Sequence, residues 1–369
     1  MIIAIDTRFL NADRANTGKH IFLKGLTEKY PQHQFLYIFD RPFGDEFVFP
    51  KNVTPVVSGL KTNNRVTLLY WLNYKLPALL KKHKADVFIG INGVCSLRTK
   101  LSQCLVIDDV SFLLQAESLK RPVFRFAKKY TPGFVAKATK IITASAFSKS
   151  VLTNSYKINA GKVDVVYSFA DEIFKPMNLQ EKEEIRQTYS AGKDFFLFIS
   201  DANSRGNHIN LLKAFSVFKK RQKSSMLLLI AGKPGEEFTK DLRSYKFRDE
   251  VKLFEDLAVD DLAKLTAAAY CLVYPVFSDE QALIPLQAMQ CEVPLIASNI
   301  GSLTEICADG ALYIDPESHE DIAAKMMLIY KDEHRAKELI HAGKIRSGQF
   351  TRERTIDLFY QAILKACNG

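Results

Sequence analysis

The chain has 369 residues, 47% of them hydrophobic and 25% charged, and a formal net charge of +10. That length suits about two domains and that hydrophobic content fills their cores. No low-complexity tract implies long disorder, and no run is apolar enough to cross a membrane as a helix.

The charge is unevenly spread. Residues 1–170 hold 25 Lys and Arg against 11 Asp and Glu, and the remainder holds 26 against 30. A basic half followed by a mildly acidic one points to two physical units. The opening Met1-Ile2-Ile3-Ala4-Ile5-Asp6 reads as buried strand, without the charged and small-residue segments of a secretory leader, so a cytoplasmic location is expected. Cys95, Cys104, Cys271, Cys291, Cys307 and Cys367 are scattered, several in apolar runs, and read as buried reduced thiols. Neither they nor the seven histidines show metal-ligand spacing; no metal and no cofactor is expected.

In chain order, strand-like runs fall at 2–6, 35–39, 53–57, 86–91, 104–108, 140–144 and 163–166, separated by amphipathic stretches at 20–30, 66–82, 123–137 and 147–155. A junction rich in proline and polar residues, Phe174-Lys175-Pro176-Met177-Asn178, leads into a charged helix at 181–190. Strand-like runs resume at 195–199, 227–231, 251–254, 271–274, 294–298 and 311–314, with helical patterns at 209–221, 259–269, 282–289 and 320–330. A last amphipathic helix spans 351–365. Strands apolar on both faces and alternating with helices imply parallel sheets covered on both sides, here two successive doubly wound, Rossmann-like α/β halves. No Gly-x-Gly-x-x-Gly follows a strand, so a nicotinamide or flavin site lacks its main support.

From Cys271 to Asp315 the sequence resembles the C-terminal domain of the group 1 (family 4) retaining glycosyltransferases. The segments that carry it are Tyr274-Pro275, Ser278-Asp279-Glu280, Pro285-Leu286-Gln287-Ala288-Met289, Val293-Pro294-Leu295-Ile296-Ala297-Ser298-Asn299, Gly301-Ser302-Leu303-Thr304-Glu305 and Gly310-Ala311-Leu312-Tyr313. Arg205-Gly206-Asn207, Ile5-Asp6-Thr7-Arg8, Thr17-Gly18-Lys19, Asp109-Val110-Ser111-Phe112 and Ser145-Ala146-Phe147-Ser148-Lys149 extend the resemblance over nearly the whole chain. It implies the GT-B architecture: two Rossmann-like domains facing a central cleft, with the C-terminal helix crossing back to the N-terminal domain. The corresponding boundaries are an acceptor-binding domain at 1–174, a nucleotide-sugar-binding domain at 175–350, and a final helix at 351–369 that packs back on the first.

The resemblance also assigns roles. Arg205 and Lys233 are expected to hold donor phosphates, Asp279 to face the sugar, Gln287 to reach the ribose, and Glu280 to line the donor site. Asp109 and Asp279 are the catalytic candidates, and Gly18, Lys19 and Asp108 line the acceptor side. The chain departs from the family pattern at several of these positions. Gly206 stands where the family has lysine, Gln287 replaces the second glutamate of Glu-x7-Glu, and Glu280 and Gln281-Ala282 replace glycine-containing positions. Asp108 replaces histidine, and Ser168-Phe169-Ala170-Asp171 replaces Asn-Gly-Val-Asp. Read from the residues alone, Ser278 or Asp279 is also a helix N-cap, Arg205 a surface arginine, and Asp108-Asp109 a solvated strand end.

The readings that follow are a metal-independent hexosyltransferase, mannosyl-type, acting on a glycan or lipid-linked acceptor in surface polysaccharide synthesis, and a catalytically impaired paralogue that binds or scaffolds. The basic segment with Lys120, Arg121, Arg125, Lys128, Lys129, Lys137 and Lys140 around Phe124, Phe126, Tyr130 and Phe134 reads either as a helix lying peripherally on an anionic membrane surface or as a core-packing helix with a solvated basic face. Nucleic acid is not expected, because no binding module accompanies the charge.

Overall fold

The computed structural model describes residues 1–11, 18–44, 47–114, 121–200, 207–233, 238 and 242–368. The chain divides into two compact units, Met1–Tyr167 with Arg352–Gly369, and Ser168–Thr351.

The first unit is built on a parallel seven-stranded sheet. Its strands are β1 (Ile2–Asp6), β2 (Gln34–Phe39), β3 (Val53–Val57), β4 (Val87–Gly90), β5 (Ser102–Ile107), β6 (Lys140–Thr143) and β7 (Val163–Val165), in the order β3-β2-β1-β4-β5-β6-β7. The helices are α1 (Gly18–Lys29), α2 (Arg65–Tyr70), α3 (Leu76–Lys82), α4 (Ser111–Leu114), α5 (Arg121–Lys137) and α6 (Ala146–Tyr156). Alternate residues of each strand serve opposite layers, which is why the strands read as apolar throughout. Ile3, Ile5, Phe35, Tyr37, Phe39 and Ile89 pack with Leu23 and Leu26 of α1, whereas Ala4, Leu36, Ile38, Phe88 and Leu105 pack with Trp71, Leu76 and Phe134.

The helix expected over 66–82 is interrupted. Between α2 and α3, Trp71–Lys75 forms a π-helical turn, in which Leu76 N–H bonds to Trp71 O. Pro77 explains it, since a proline inside a helix removes a donor and its ring crowds the carbonyl four residues back. Widening one turn relieves that clash.

The second unit repeats the plan. A six-stranded parallel sheet has β8 (Phe195–Ile199), β9 (Leu227–Ala231), β10 (Val251–Phe254), β11 (Cys271–Tyr274), β12 (Leu295–Ser298) and β13 (Leu312–Ile314), in the order β10-β9-β8-β11-β12-β13. The helices are α7 (Leu179–Ser190), α8 (His208–Gln222), α9 (Val259–Ala268), α10 (Leu283–Gln290), α11 (Gly301–Cys307), α12 (His319–Lys331) and α13 (Glu333–Ser347). The chain passes into this unit after Tyr167, earlier than the junction read at Phe174. Phe174 is buried, and Gln290 Nε2 of α10 donates to the carbonyls of Asp171 and Phe174 at 2.8 and 2.7 Å, tying the segment down.

The last helix, α14 (Arg352–Cys367), belongs to the first unit. Ile356, Phe359, Ala362, Ile363 and Ala366 cover the same sheet face as α1. Tyr30 Oη donates to Asp357 at 2.7 Å, Lys29 pairs with Asp357 at 2.6 Å, and the Thr355 hydroxyl donates to Tyr167 O at 3.0 Å.

Candidate functional site

In doubly wound sheets, ligand crevices lie outside the carboxyl ends of the strands where the strand order reverses. In the first unit that point lies between β1 and β4, and in the second between β8 and β11.

At the first edge, β1 ends in the wholly buried Asp6, which takes Arg8 in a two-pronged pair, Nε–Oδ1 at 2.8 Å and Nη2–Oδ2 at 2.6 Å. The Arg8 guanidinium lies over the Trp71 ring at 4.3 Å and donates to Thr62 Oγ1 at 3.2 Å. Burial alone would lower its pKa; Asp6 and Asp40 more than offset this and hold it above the ordinary arginine value. Beside it Asp40, also buried, accepts from Arg41 Nε at 3.0 Å and from the N–H and hydroxyl of Thr62 at 2.9 and 2.8 Å. Burial pushes this carboxyl up, but those bonds and the Arg41 charge outweigh it and bring the pKa down to about 2.

Further along the same edge, Lys19 in the first turn of α1 pairs with Asp108, just past β5, at 3.6 Å. Asp109 is exposed and accepts from the backbone N–H of Ser111 at 2.7 Å and from its hydroxyl. Gly18 faces open space; a Cβ there would meet nothing within 4 Å.

At the second edge, backbone crowds backbone. Gly232, just past β9, has φ +110, and a Cβ on it would stand 1.9 Å from the Ser200 carbonyl oxygen, so only glycine fits. Lys233 is exposed and pairs with Asp256 at 3.0 Å. Arg205 lies outside the described residues. The helix that follows it, α8, opens with His208, whose ring meets Phe198 of β8 edge-on at 5.0 Å. Phe198 in turn lies 6.3 Å from the Tyr274 ring at the end of β11. Asp279 Oδ1 accepts the backbone N–H groups of Gln281 and Ala282, both at 2.9 Å, and Oδ2 accepts the Tyr274 hydroxyl at 3.0 Å. Glu280 is buried, and Gln287 is half-buried on α10.

Three comparisons with known proteins bear on this arrangement. The profile of the family described as "Glycosyl transferases group 1" matches residues 180–346, which cover most of the second unit. Over those residues the chain is similar to the group 1 glycosyltransferases. It is 24% identical over 279 residues to the O-antigen chain mannosyltransferase RfbU of Salmonella typhimurium, covering 73% of this chain and 72% of that one. In fold it is similar to WaaG, a glycosyltransferase involved in lipopolysaccharide biosynthesis (TM-score 0.76, 13% identity, 98% of this chain and 99% of that one). It is likewise similar to Anabaena HepE in complex with UDP-glucose (TM-score 0.71, 15% identity, 100% and 99%). The two doubly wound units are those of the GT-B fold.

In the second unit, Asp279, Glu280 and Gln287 sit together on the loop and helix that follow β11, and Lys233 stands past β9. Gly18, Lys19, Asp108 and Asp109 share the carboxyl edge of the first unit. Sequence reasoning left out Asp40, Trp71, Tyr274 and Ser302 as contributors to these edges. Asp40 could have been found as a carboxylate closing an otherwise apolar strand. Tyr274 ends a wholly apolar run and reads as core.

Among the described residues no group of three or more His, Cys, Asp or Glu side chains is placed to hold a metal ion, and no helix is long and apolar enough to cross a membrane.

Proposed function

We propose that this chain is a glycosyltransferase that moves a hexose, mannose-like, from a nucleotide-diphosphate sugar to a glycan or lipid-linked acceptor with retention, in the synthesis of a surface polysaccharide of the O-antigen kind. The carrying observation is the carboxyl edge of the second unit, where α8 and α10 both begin just past the strands that flank the switch point. Helix N-termini present free N–H groups and positive dipole ends, which suit a diphosphate. Arg205 and Lys233 would add charge to the phosphates, Gln287 would bond the ribose, and Glu280, on the loop that Asp279 anchors, would line the donor site. Asp109, with Gly18 and the Lys19–Asp108 pair, would face the acceptor. No cofactor or metal enters this reading: arginine, lysine and helix ends carry the leaving-group charge. The O-antigen mannosyltransferase name of the relative supports the choice of sugar and of product.

The test is calorimetric titration with a panel of nucleotide diphosphates and sugar nucleotides, GDP-mannose included, followed by turnover with the one that binds. Arg205→Ala should keep the fold and lower turnover by roughly 100-fold or more, the scale of losing one charge-stabilising donor. Binding of none across the panel would overturn transfer and favour the paralogue that scaffolds; unchanged turnover in Arg205→Ala would remove that residue from the mechanism.

Peripheral contact with an anionic membrane is part of the proposal. The aromatic residues of α5 mostly face inward: Phe134 is fully buried, and Phe126 and Tyr130 pack against the core. Arg125, Lys128, Lys129 and Lys137 point out, and Lys140 is instead tied to Asp164 at 3.7 Å. Lys120 lies outside the described residues. Exposed rings come from the neighbouring helical turns, where Tyr70 and Tyr74 stack at 5.2 Å and Arg98 lies over Tyr74 at 4.6 Å. Asp and Glu are absent from residues 47–85, 87–107 and 118–163, so this face carries cations and amphipathic rings, the composition of a membrane-interface surface.

A further inference from the structure

The loop between β11 and α10 is closed upon itself. Asp279 Oδ1 takes two backbone N–H groups of its own loop, Gln281 and Ala282, while Oδ2 takes the Tyr274 hydroxyl. The Asp279 carbonyl accepts from the hydroxyl of Ser302, in the first turn of α11. Both anchors reach the loop from packed interior: Tyr274 is 1% exposed and Ser302 2%. The Tyr274 carbonyl is itself met by the buried Ser298 hydroxyl at 3.4 Å. Ala282 follows in the left-handed conformation, φ 50, with no exposed surface. A residue bearing a Cβ holds that conformation only where its surroundings enforce it. A carboxylate offers about four acceptor directions, and here the loop and Tyr274 fill at least three of them.

We propose that Tyr274, Asp279 and Ser302 form a lock that fixes the 278–282 loop in one conformation, with Asp279 acting as a positioning residue through its hydrogen bonds rather than through its negative charge. The lock joins the end of β11 to the start of α11 across the loop. It places the Glu280 side chain and the first turn of α10 at the carboxyl edge. A loop held by glycines would adapt to its ligand; this one is set beforehand, which favours one sugar shape over its epimers. The inference rests on the transferase reading for its consequence in catalysis, though the lock itself is a property of the loop.

The variants Asp279→Asn, Asp279→Ala, Tyr274→Phe and Ser302→Ala test it, each checked for an unchanged melting transition, with two readouts. Amide hydrogen exchange at Gln281 and Ala282 reports the lock directly. Asp279→Ala should speed it by roughly 100-fold, whereas Asp279→Asn, whose amide oxygen still accepts both N–H groups and whose NH2 can donate to the Tyr274 oxygen, should hold it within about 5-fold. In steady-state kinetics with the sugar nucleotide that is turned over, kcat/KM of Asp279→Asn should stay at least ~10-fold above that of Asp279→Ala. The losses in Tyr274→Phe and Ser302→Ala should fall on KM more than on kcat.

The proposal is overturned if exchange is unchanged in Asp279→Ala. It is equally overturned if Asp279→Asn is as inactive as Asp279→Ala while its exchange stays slow, which would make the charge act on substrate. Absence of turnover in the native protein would sink the transferase reading instead, and exchange alone would then decide the lock.

Discussion

Asp40 is buried and ionised, a combination that needs compensation from every side. Arg41 and the two donors of Thr62 supply it, and the pKa near 2 is the result. Because the folded value lies below the ordinary 3.8, the stabilisation is complete above about pH 4 and is lost as pH falls through 2. A shift of that size corresponds to about 2 kcal/mol. Asp40→Asn should therefore cost about 2 kcal/mol at pH 7 in urea unfolding, and the gap to the native protein should close between pH 4 and pH 2. A gap independent of pH would show that the charge is not what matters. At this scale the sequence was partly readable. Asp108 and Lys19 were both expected at the acceptor edge, but nothing in a linear string pairs residues so far apart. The hydrogen bonds of Asp279 were half visible, since an Asp two and three residues before backbone donors reads as a cap. Its tie to Tyr274 was hidden, because a tyrosine inside an apolar run has no mark of a polar duty.

The strands were the most legible elements, for a physical reason: a parallel strand covered on both faces must be apolar at every position, and a short apolar run between turns suits few structures besides that one. Helix α13 was not read from the sequence. Its residues are mostly polar, and it is held by the Asp332 cap, whose Oδ1 accepts Arg335 N–H at 2.9 Å, and by pairs such as Glu333–Lys337 at 2.8 Å. It packs closely at a glycine: a Cβ on Gly343 would stand 3.1 Å from Met289 Cγ. The π-helical turn before Pro77 was also missed, since the apolar spacing of residues 66–82 continues through it. Helix α14 was read as amphipathic, and its apolar stripe carries a specific expectation. Phe359 is buried against the first sheet and meets Phe22 edge-on at 4.9 Å. Phe359→Ala should destabilise the first unit by about 3–5 kcal/mol. Exchange protection should fall in β1, β2 and β4 while the second sheet keeps its own; uniform loss over both sheets would contradict that assignment.

For the whole molecule, the sequence showed the two-unit plan through its charge asymmetry and its repeated strand–helix alternation. It placed the boundary late because the proline-containing stretch at 174–178 is the first marked break after the strand, and nothing in residues 167–174 shows which core they join. The same asymmetry gives the membrane proposal its test. Vesicles containing an anionic phospholipid should bind the protein more tightly than neutral ones, and added salt should release it. Replacing Lys128 and Lys129 by glutamine removes two surface cations at about 1 kcal/mol each, roughly 30-fold in affinity. Salt-independent binding, or none, would remove the membrane from the proposal.

The placement of α14 also has a consequence for biosynthesis. The face of the first sheet that carries Ile3, Ile5, Phe35 and Ile89 is closed by residues 356–366, and these follow the entire second unit in the chain. A ribosome adding roughly 5–20 residues per second therefore leaves that face without its last cover for on the order of ten seconds or more. The unit begun first is completed last. Chains truncated at residue 351 and released from the ribosome should display a greasy half-finished sheet while the second unit is already whole, and should be the species that chaperone holdases retain.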